Sequence, residues 1–234
     1  MARYLLVHGS CHGAWCWRDV IPELEALGHE ATAIDLPSHG SDRTPAKDVT
    51  LPMYAEAILA ALETPAIVVG HSMAGYPITQ AAADRPEVFQ RLVYLAAHVP
   101  SPGLGLTDMR AIATADALRE AIRPSADGVT ITFEPSHVEA LFYHDCPPGT
   151  VEYALEHLTP QPLKPQQTAV ENLANASAVQ ADYIVCSEDR AVPTAYQRNL
   201  AAKFPEAHRH EMRSSHSPFF SDPKGLATLL SQMA

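Results

Sequence analysis

Ser72, Asp189 and His216 have the residue types that nucleophilic acyl chemistry requires, in an order that one arrangement of strands could bring together. A serine hydroxyl is a weak nucleophile until a base takes its proton, and an imidazole serves best as that base when a carboxylate holds it. Ser72 stands in Ala66-Ile67-Val68-Val69-Gly70-His71-Ser72-Met73-Ala74-Gly75. The apolar run reads as a short buried strand that Gly70 ends, and Met73 to about Asp84 reads as a helix, with Pro77 tolerable in its first turn. Ser72 therefore falls on a strand-to-helix corner, where a strained turn pushes its hydroxyl clear of the backbone. Small residues are needed two places before and two after it, and Gly70 and Ala74 stand there, with Gly75 giving further room. The motif alone is weak: a G-x-S-x-[GA] pattern arises by chance in roughly one to two chains of this length in ten. A serine in this place can also simply cap the helix.

The remaining candidates follow from the elements that must position them. Strands are expected at Arg3–Val7, Glu30–Leu36, Ala66–Val69 and Arg91–Ala97. Helices are expected at Ala14–Leu27, at Leu51 to about Leu62 with Thr50 as cap, and at Met73–Asp84. This alternation is the signature of a mostly parallel, doubly wound α/β sheet covered on both faces. The rhythm breaks in a proline-rich segment and returns with a strand at Ala181–Cys186, a helix at Pro193–Phe204, a strand at His208–Met212 and a helix at Asp222–Met233. The expected division is a core of residues 1–99 and 180–234, with 100–179 inserted as a helical cap. Helical pieces are expected at Thr107–Ile122, Ser136–His144 and Thr150–Leu158, and a short strand at Val129–Phe133. Ligands of such sheets collect at the carboxyl ends of the strands. Asp189 follows one strand end and His216 another, with Glu188 as rival acid and His98 as a second position that has no carboxylate. The N–H of Met73 and the N–H of Ser10, in the first loop, are the candidate oxyanion donors. Phe133, Phe142, Tyr143 and Phe219 are candidate pocket aromatics. His71 flanks the serine and is expected to point away from it, and His208 and His210 are expected to be solvated on their strand.

The 234 residues, 47% apolar and 18% charged, suit one α/β domain with a small insertion. A net charge of −11 argues against nucleic acid and anionic membranes as partners. No apolar run reaches the ~18 residues of a membrane span, and no basic stretch followed by a long apolar run suggests a signal peptide. The four cysteines form no CxxC pair, so a reduced, cytoplasmic setting is expected. His8, Cys11 and His12 imitate a metal cluster, but no further ligand is placed by spacing, and no metal is expected.

The first loop, His8-Gly9-Ser10-Cys11-His12-Gly13-Ala14-Trp15-Cys16-Trp17, resembles the opening loop of the plant methylesterases and hydroxynitrile lyases of the α/β-hydrolase superfamily, and of their small bacterial esterase relatives. The likeness continues through Leu27-Gly28-His29, Asp35-Leu36-Pro37, Gly70-His71-Ser72-Met73 and Tyr183-Ile184-Val185-Cys186-Ser187-Glu188-Asp189. It implies an α/β-hydrolase fold, a triad of Ser72, Asp189 and His216, an oxyanion hole at Ser10 and Met73, and no cofactor. The lyases carry threonine directly after the first-loop histidine, lysine directly after the catalytic histidine and commonly glutamate before the serine. Gly9, Ser217 and His71 stand at those places here. The expectation is a serine carboxylesterase for small, partly apolar esters. The alternatives are a hydroxynitrile lyase, or a non-hydrolytic binder or cofactor-free oxygenase on the same fold. The expected partner is a small-molecule ester, and homodimer formation is left open.

Overall fold

The computed structural model describes residues 1–113 and 116–234. Six parallel strands form its main sheet in the order β2-β1-β3-β4-β8-β9, where β1 is Arg3–Val7, β2 Glu30–Ile34, β3 Ala66–His71, β4 Phe89–Leu95, β8 Ala181–Cys186 and β9 Arg209–Met212. Alternate residues of the central strands face opposite ways, as a pleated strand requires. Leu5, Val7, Val68, Leu92, Tyr94, Tyr183 and Val185 enter one core, together with α2 (Leu51–Ala60) and α3 (Gly75–Asp84). Tyr4, Leu6, Ile67, Val69, Val93, Leu95 and Ile184 enter the other, beneath α1 (Val20–Ala26) and the C-terminal helix Pro223–Ser231. Both faces of the central strands β1, β3, β4 and β8 are largely covered, which is why they read as mostly apolar runs, whereas the edge strands β2 and β9 are partly exposed.

The chain winds outward from β1 to β2, then crosses β1 to lay down β3 and the strands beyond it. The switch point thus lies between the carboxyl ends of β1 and β3, where open α/β sheets bind their ligands.

The expected helix Ala14–Leu27 is divided into a 3₁₀ turn, Ala14–Trp17, and α1. Proline accounts for the division. In a continuous helix Pro22 would be interior and its ring would meet the Arg18 carbonyl, whereas a restart at Val20 leaves it in a first turn. The strand expected to end at Gly70 runs on to His71. Thr50 caps α2 as expected, its hydroxyl accepting from the Met53 N–H at 3.4 Å.

Between β4 and β8 lie α4 (Leu106–Ala113), α5 (Asp116–Ala121) and α6 (Thr150–His157). A small antiparallel sheet accompanies them: β5 (Ile122–Pro124), β6 (Thr130–Phe133) and β7 (Gln161–Pro162). The expected helix Thr107–Ile122 overruns these elements. Its residues 114 and 115 lie outside the described residues, and Ile122 opens β5. The expected helix Ser136–His144 is a short helix, Pro135–Val138, that continues as a π-helical turn, Glu139–Tyr143. Residues of this segment pack into both cores. Leu106, Met109 and Val170 join one core, and Leu118, Val138 and Leu141 the other.

Candidate active site

Ser72 has φ +55°, in the left-handed region that a residue with a side chain enters only at a cost. The corner around it is built by close backbone approach. The His98 N–H donates to the Ser72 carbonyl at 3.1 Å. A Cβ on Gly75 would stand 2.0 Å from the His98 carbonyl oxygen, and one on Gly70 would stand 2.7 Å from Ile78 Cδ1 and 3.0 Å from the Ala74 carbonyl oxygen. Gly75 is therefore the tightest glycine of the corner, and the room it gives is a requirement. Gly9 closes the corner from the side of β1, since a Cβ there would lie 2.8 Å from His71 Nδ1 and 3.1 Å from Ser72 Cβ.

Asp189 lies in the loop after β8. Its Oδ1 accepts from the N–H groups of Ala191 and Val192, each at 2.8 Å. Its Oδ2 accepts from Gln197 Nε2 at 2.8 Å and from His216 Nδ1 at 2.6 Å. Four donors thus converge on two oxygens, the arrangement that suits an acceptor-only carboxylate. Gln197 stands on α7 (Thr194–Ala201), and its own Oε1 accepts from the Cys186 N–H at 3.0 Å, which fixes which end of the amide faces the acid. The rival acid Glu188 is bound instead to Arg213, at 2.6 Å on the surface.

The His216 loop is fastened at three points. His71 Nε2 donates to the His216 carbonyl at 2.8 Å, and the two rings lie 4.5 Å apart. Asp145 accepts from the Ser215 N–H at 2.7 Å, and the Ser215 hydroxyl donates to the Phe142 carbonyl at 3.1 Å. His71 therefore does not point away, as expected, but turns into the site and braces the loop that carries the imidazole. Burial pushes His71 well below the usual histidine value, so it stays neutral.

In the first loop the Leu36 N–H donates to His8 Nε2 at 3.0 Å, which leaves the His8 proton on Nδ1 to bond the Gly9 carbonyl at 2.8 Å. His12 Nδ1 bonds the Ser10 carbonyl at 2.8 Å, and its Nε2 meets the Tyr143 hydroxyl at 2.6 Å. Burial lowers His12 to about 4, so it too is neutral. Among the described residues no group of three or more His, Cys, Asp or Glu side chains is placed to hold a metal ion. Met73 is the second residue of the 3₁₀ turn Ser72–Ala74, a position whose N–H has no partner within its own turn.

Ser72, His216 and Ser10 line one pocket at the carboxyl edge of the sheet. Phe133 and Phe142 also line it, with Leu118, Ala191 and Val192. Tyr143 and Phe219, expected at its wall, stand behind it. Tyr143 is held by His12, and Phe219 packs on His71 at 5.0 Å and on Trp17 at 5.2 Å. Sequence reasoning missed Gln197, Gln166 and Arg110. No local pattern marks them, since each reaches the site from the far side of a helix or from the proline-rich segment.

The chain matches the family model described as "Alpha/beta hydrolase family" over residues 4–229. It belongs to the alpha/beta hydrolase family. This α/β hydrolase is 31% identical to Methylesterase 7 of Arabidopsis thaliana over 254 residues, covering 99% of the chain and 96% of that protein. It is 32% identical to Methylesterase 1 of the same plant over 250 residues, at 99% and 95% coverage. Among solved structures it is similar to a pyrethroid hydrolase from Sphingobium faniae, with a TM-score of 0.88, 26% identity and coverage of 99% and 96%. The resemblance read from the first loop thus extends along the whole α/β hydrolase, including residues 100–179, where the motifs were silent. No helix among the described residues is long and apolar enough to cross a membrane.

Proposed function

We propose that this α/β hydrolase is a serine carboxylesterase that cleaves small, partly apolar carboxylic esters through an acyl-enzyme. The observation that carries this reading is the buried 2.6 Å hydrogen bond between His216 and Asp189, beside a strained Ser72 that lines the same pocket. Ser72 Oγ attacks the ester carbonyl as His216 Nε2 takes its proton, and Asp189 holds Nδ1–H and stabilises the imidazolium. The oxyanion rests between the N–H groups of Ser10 and Met73, each worth about 3 kcal/mol to the transition state. His216 then gives the proton to the departing alcohol. A water deprotonated by His216 attacks the acyl carbon, and the acid leaves as Ser72 is restored. Two relatives are named methylesterases, which makes methyl esters the first physiological type to try.

The lyase alternative has less support. A threonine in place of Gly9 would begin with a Cβ 2.8 Å from His71 Nδ1, and Ser217 supplies no cation where a lysine would assist a departing cyanide. The test is product release from p-nitrophenyl acetate and butyrate, beside mandelonitrile cleavage, in wild type and Ser72→Ala. Ester turnover that falls by roughly 10⁴-fold or more in the variant is expected. Cyanide release without ester turnover would reverse the order of the two readings.

A further inference from the structure

Helix α4 sends one cation into the pocket. Arg110 Nη1 donates to Gln166 Oε1 at 2.6 Å, and Nη2 donates to Ser10 Oγ at 3.0 Å. Gln166 Nε2 also donates to Ser10 Oγ, at 2.9 Å. The three side chains close a ring, and two features of it are unfinished. Ser10 Oγ already accepts two hydrogen bonds, so both its lone pairs are used and its own O–H is left to donate elsewhere. Arg110 Nε is buried and has no hydrogen-bond partner. Ser10 and Arg110 both line the pocket.

The charge is unbalanced as well. No carboxylate is among the residues lining the pocket, and among the described residues none lies in ion-pair range of Arg110. Asp189 is committed to His216, Gln197 and two backbone N–H groups. Burial lowers the guanidinium to about 10, which leaves it charged at neutral pH. His12, His71 and His98 are all held below the usual histidine value by burial and carry no charge that could answer it. A buried cation without a counter-charge is unfavourable, and a ligand that brings the anion relieves it.

We propose that the ester this enzyme takes carries a free carboxylate in its acyl part, bound by Arg110 and the Ser10 hydroxyl: a half-ester of a short dicarboxylic acid. This rests on the carboxylesterase reading above. The charge belongs to the acyl part because Ser10 joins the two sites. Its side chain forms the anion subsite, while its backbone N–H is the oxyanion donor, so the subsite adjoins the carbonyl under attack. A methyl leaving group has no atom to bear a charge. The diacid is short because one residue, Ser10, offers its hydroxyl to the carboxylate and its N–H to the oxyanion, which leaves space for only a few carbons between the two. Phe133, Phe142 and Val192 cover the methylenes between the two carboxyl carbons. Hydrolysis of such a half-ester consumes one water and yields the dicarboxylate, methanol and one proton.

The experiment compares kcat/KM for monomethyl succinate and methyl 4-oxopentanoate, which is nearly the same shape but neutral, in wild type, Arg110→Gln and Arg110→Lys. Wild type is expected to favour the half-ester by about 10- to 100-fold, the range of a charge-assisted hydrogen bond. Arg110→Gln should lower kcat/KM for the half-ester more than for the neutral ester and so abolish that preference, and Arg110→Lys should restore part of it. Succinate should inhibit the wild type competitively with p-nitrophenyl acetate as substrate, and succinamide should not; this arm requires no variant to fold. Equal losses on both esters in Arg110→Gln would reduce Arg110 to a support for Ser10 and overturn the proposal. Wild-type turnover of p-nitrophenyl acetate with no preference for the half-ester and no inhibition by succinate would also overturn it, while leaving the esterase standing. No turnover of any ester would instead be a failure of the esterase reading.

Discussion

Asp189 can be replaced by asparagine without changing its shape, and its partners dictate the result. The two backbone donors at Oδ1 require an acceptor, so the asparagine oxygen stays there and its NH₂ group takes the place of Oδ2. That group then faces His216 Nδ1, which must give up its proton to accept from it, and the imidazole presents Nε2–H toward Ser72 in place of a lone pair. Asp189→Asn is expected to lower kcat by about 10⁴-fold through this tautomer reversal alone. Steady-state kinetics on p-nitrophenyl acetate would read it; a loss of under ~10-fold would mean that His216 is oriented by other contacts. Ser72 permits a second test at the same scale. Its φ of +55° strains any residue with a Cβ, and glycine is free of that strain. Ser72→Gly and Ser72→Ala should both be inactive, yet the glycine variant should be the more stable of the two by about 1 kcal/mol in urea denaturation. If the alanine variant proves as stable, the corner is not under strain.

The corner depends on how closely β3, α3 and the chain after β4 approach one another. Gly75→Ala would press a methyl against the His98 carbonyl, a contact between backbones that no side-chain rotation can relieve. The helix must then move outward, and Ser72 with it. The variant is expected to lose about 1–3 kcal/mol of stability and to lose kcat while retaining much of its KM. Thermal melting and kinetics together check this; an unchanged melt would place the slack elsewhere. The motif was legible because an apolar run, a glycine and a helix are local signals, and so were β1, β3, β8 and the order of Ser72, Asp189 and His216. What was hidden depends on packing between distant parts of the chain. Gly75 appeared to be spare room because the His98 carbonyl that limits it lies beyond β4. His71 was misread because its partner, the His216 carbonyl, is far along the chain. Tyr143 and Phe142 are neighbours in sequence, and only the π-helical turn that carries them decides that Phe142 lines the pocket while Tyr143 turns to His12.

Across the whole molecule the two edges of the sheet do different work. Four of the five non-glycine residues with positive φ among the described residues follow the carboxyl ends of the first four strands, Cys11, Ser38, Ser72 and Ala96; the fifth, Asn172, precedes a short helix. The opposite edge, at the amino ends of β4, β8 and β9, is clamped by charge. Asp182, 1% exposed in β8, accepts from Arg91 in β4 through Oδ2, and through Oδ1 from His208 Nδ1 at 3.0 Å and His210 Nε2 at 2.8 Å. His208 and His210 were expected to be solvated, but their alternation across Arg209 instead turns both toward one buried acid. Burial alone would raise the Asp182 carboxyl, but the hydrogen bonds from His210, Arg91 and His208 outweigh it and hold the group below the usual carboxylate range. A carboxyl lowered by folding stabilises the native state fully above its unfolded value, ~4, and this contribution is lost as pH falls through the native value. Asp182→Asn, which leaves Arg91 half-buried without its anion, should cost about 3 kcal/mol near neutral pH. Urea denaturation of both proteins from pH 8 down to pH 3 would show that difference as level above ~pH 4 and shrinking below it. A difference that persisted unchanged to the acid end would mean that Asp182 contributes by shape rather than by charge. A kcat reduced at neutral pH would mean that the clamp reaches the strand ends that hold Asp189 and His216.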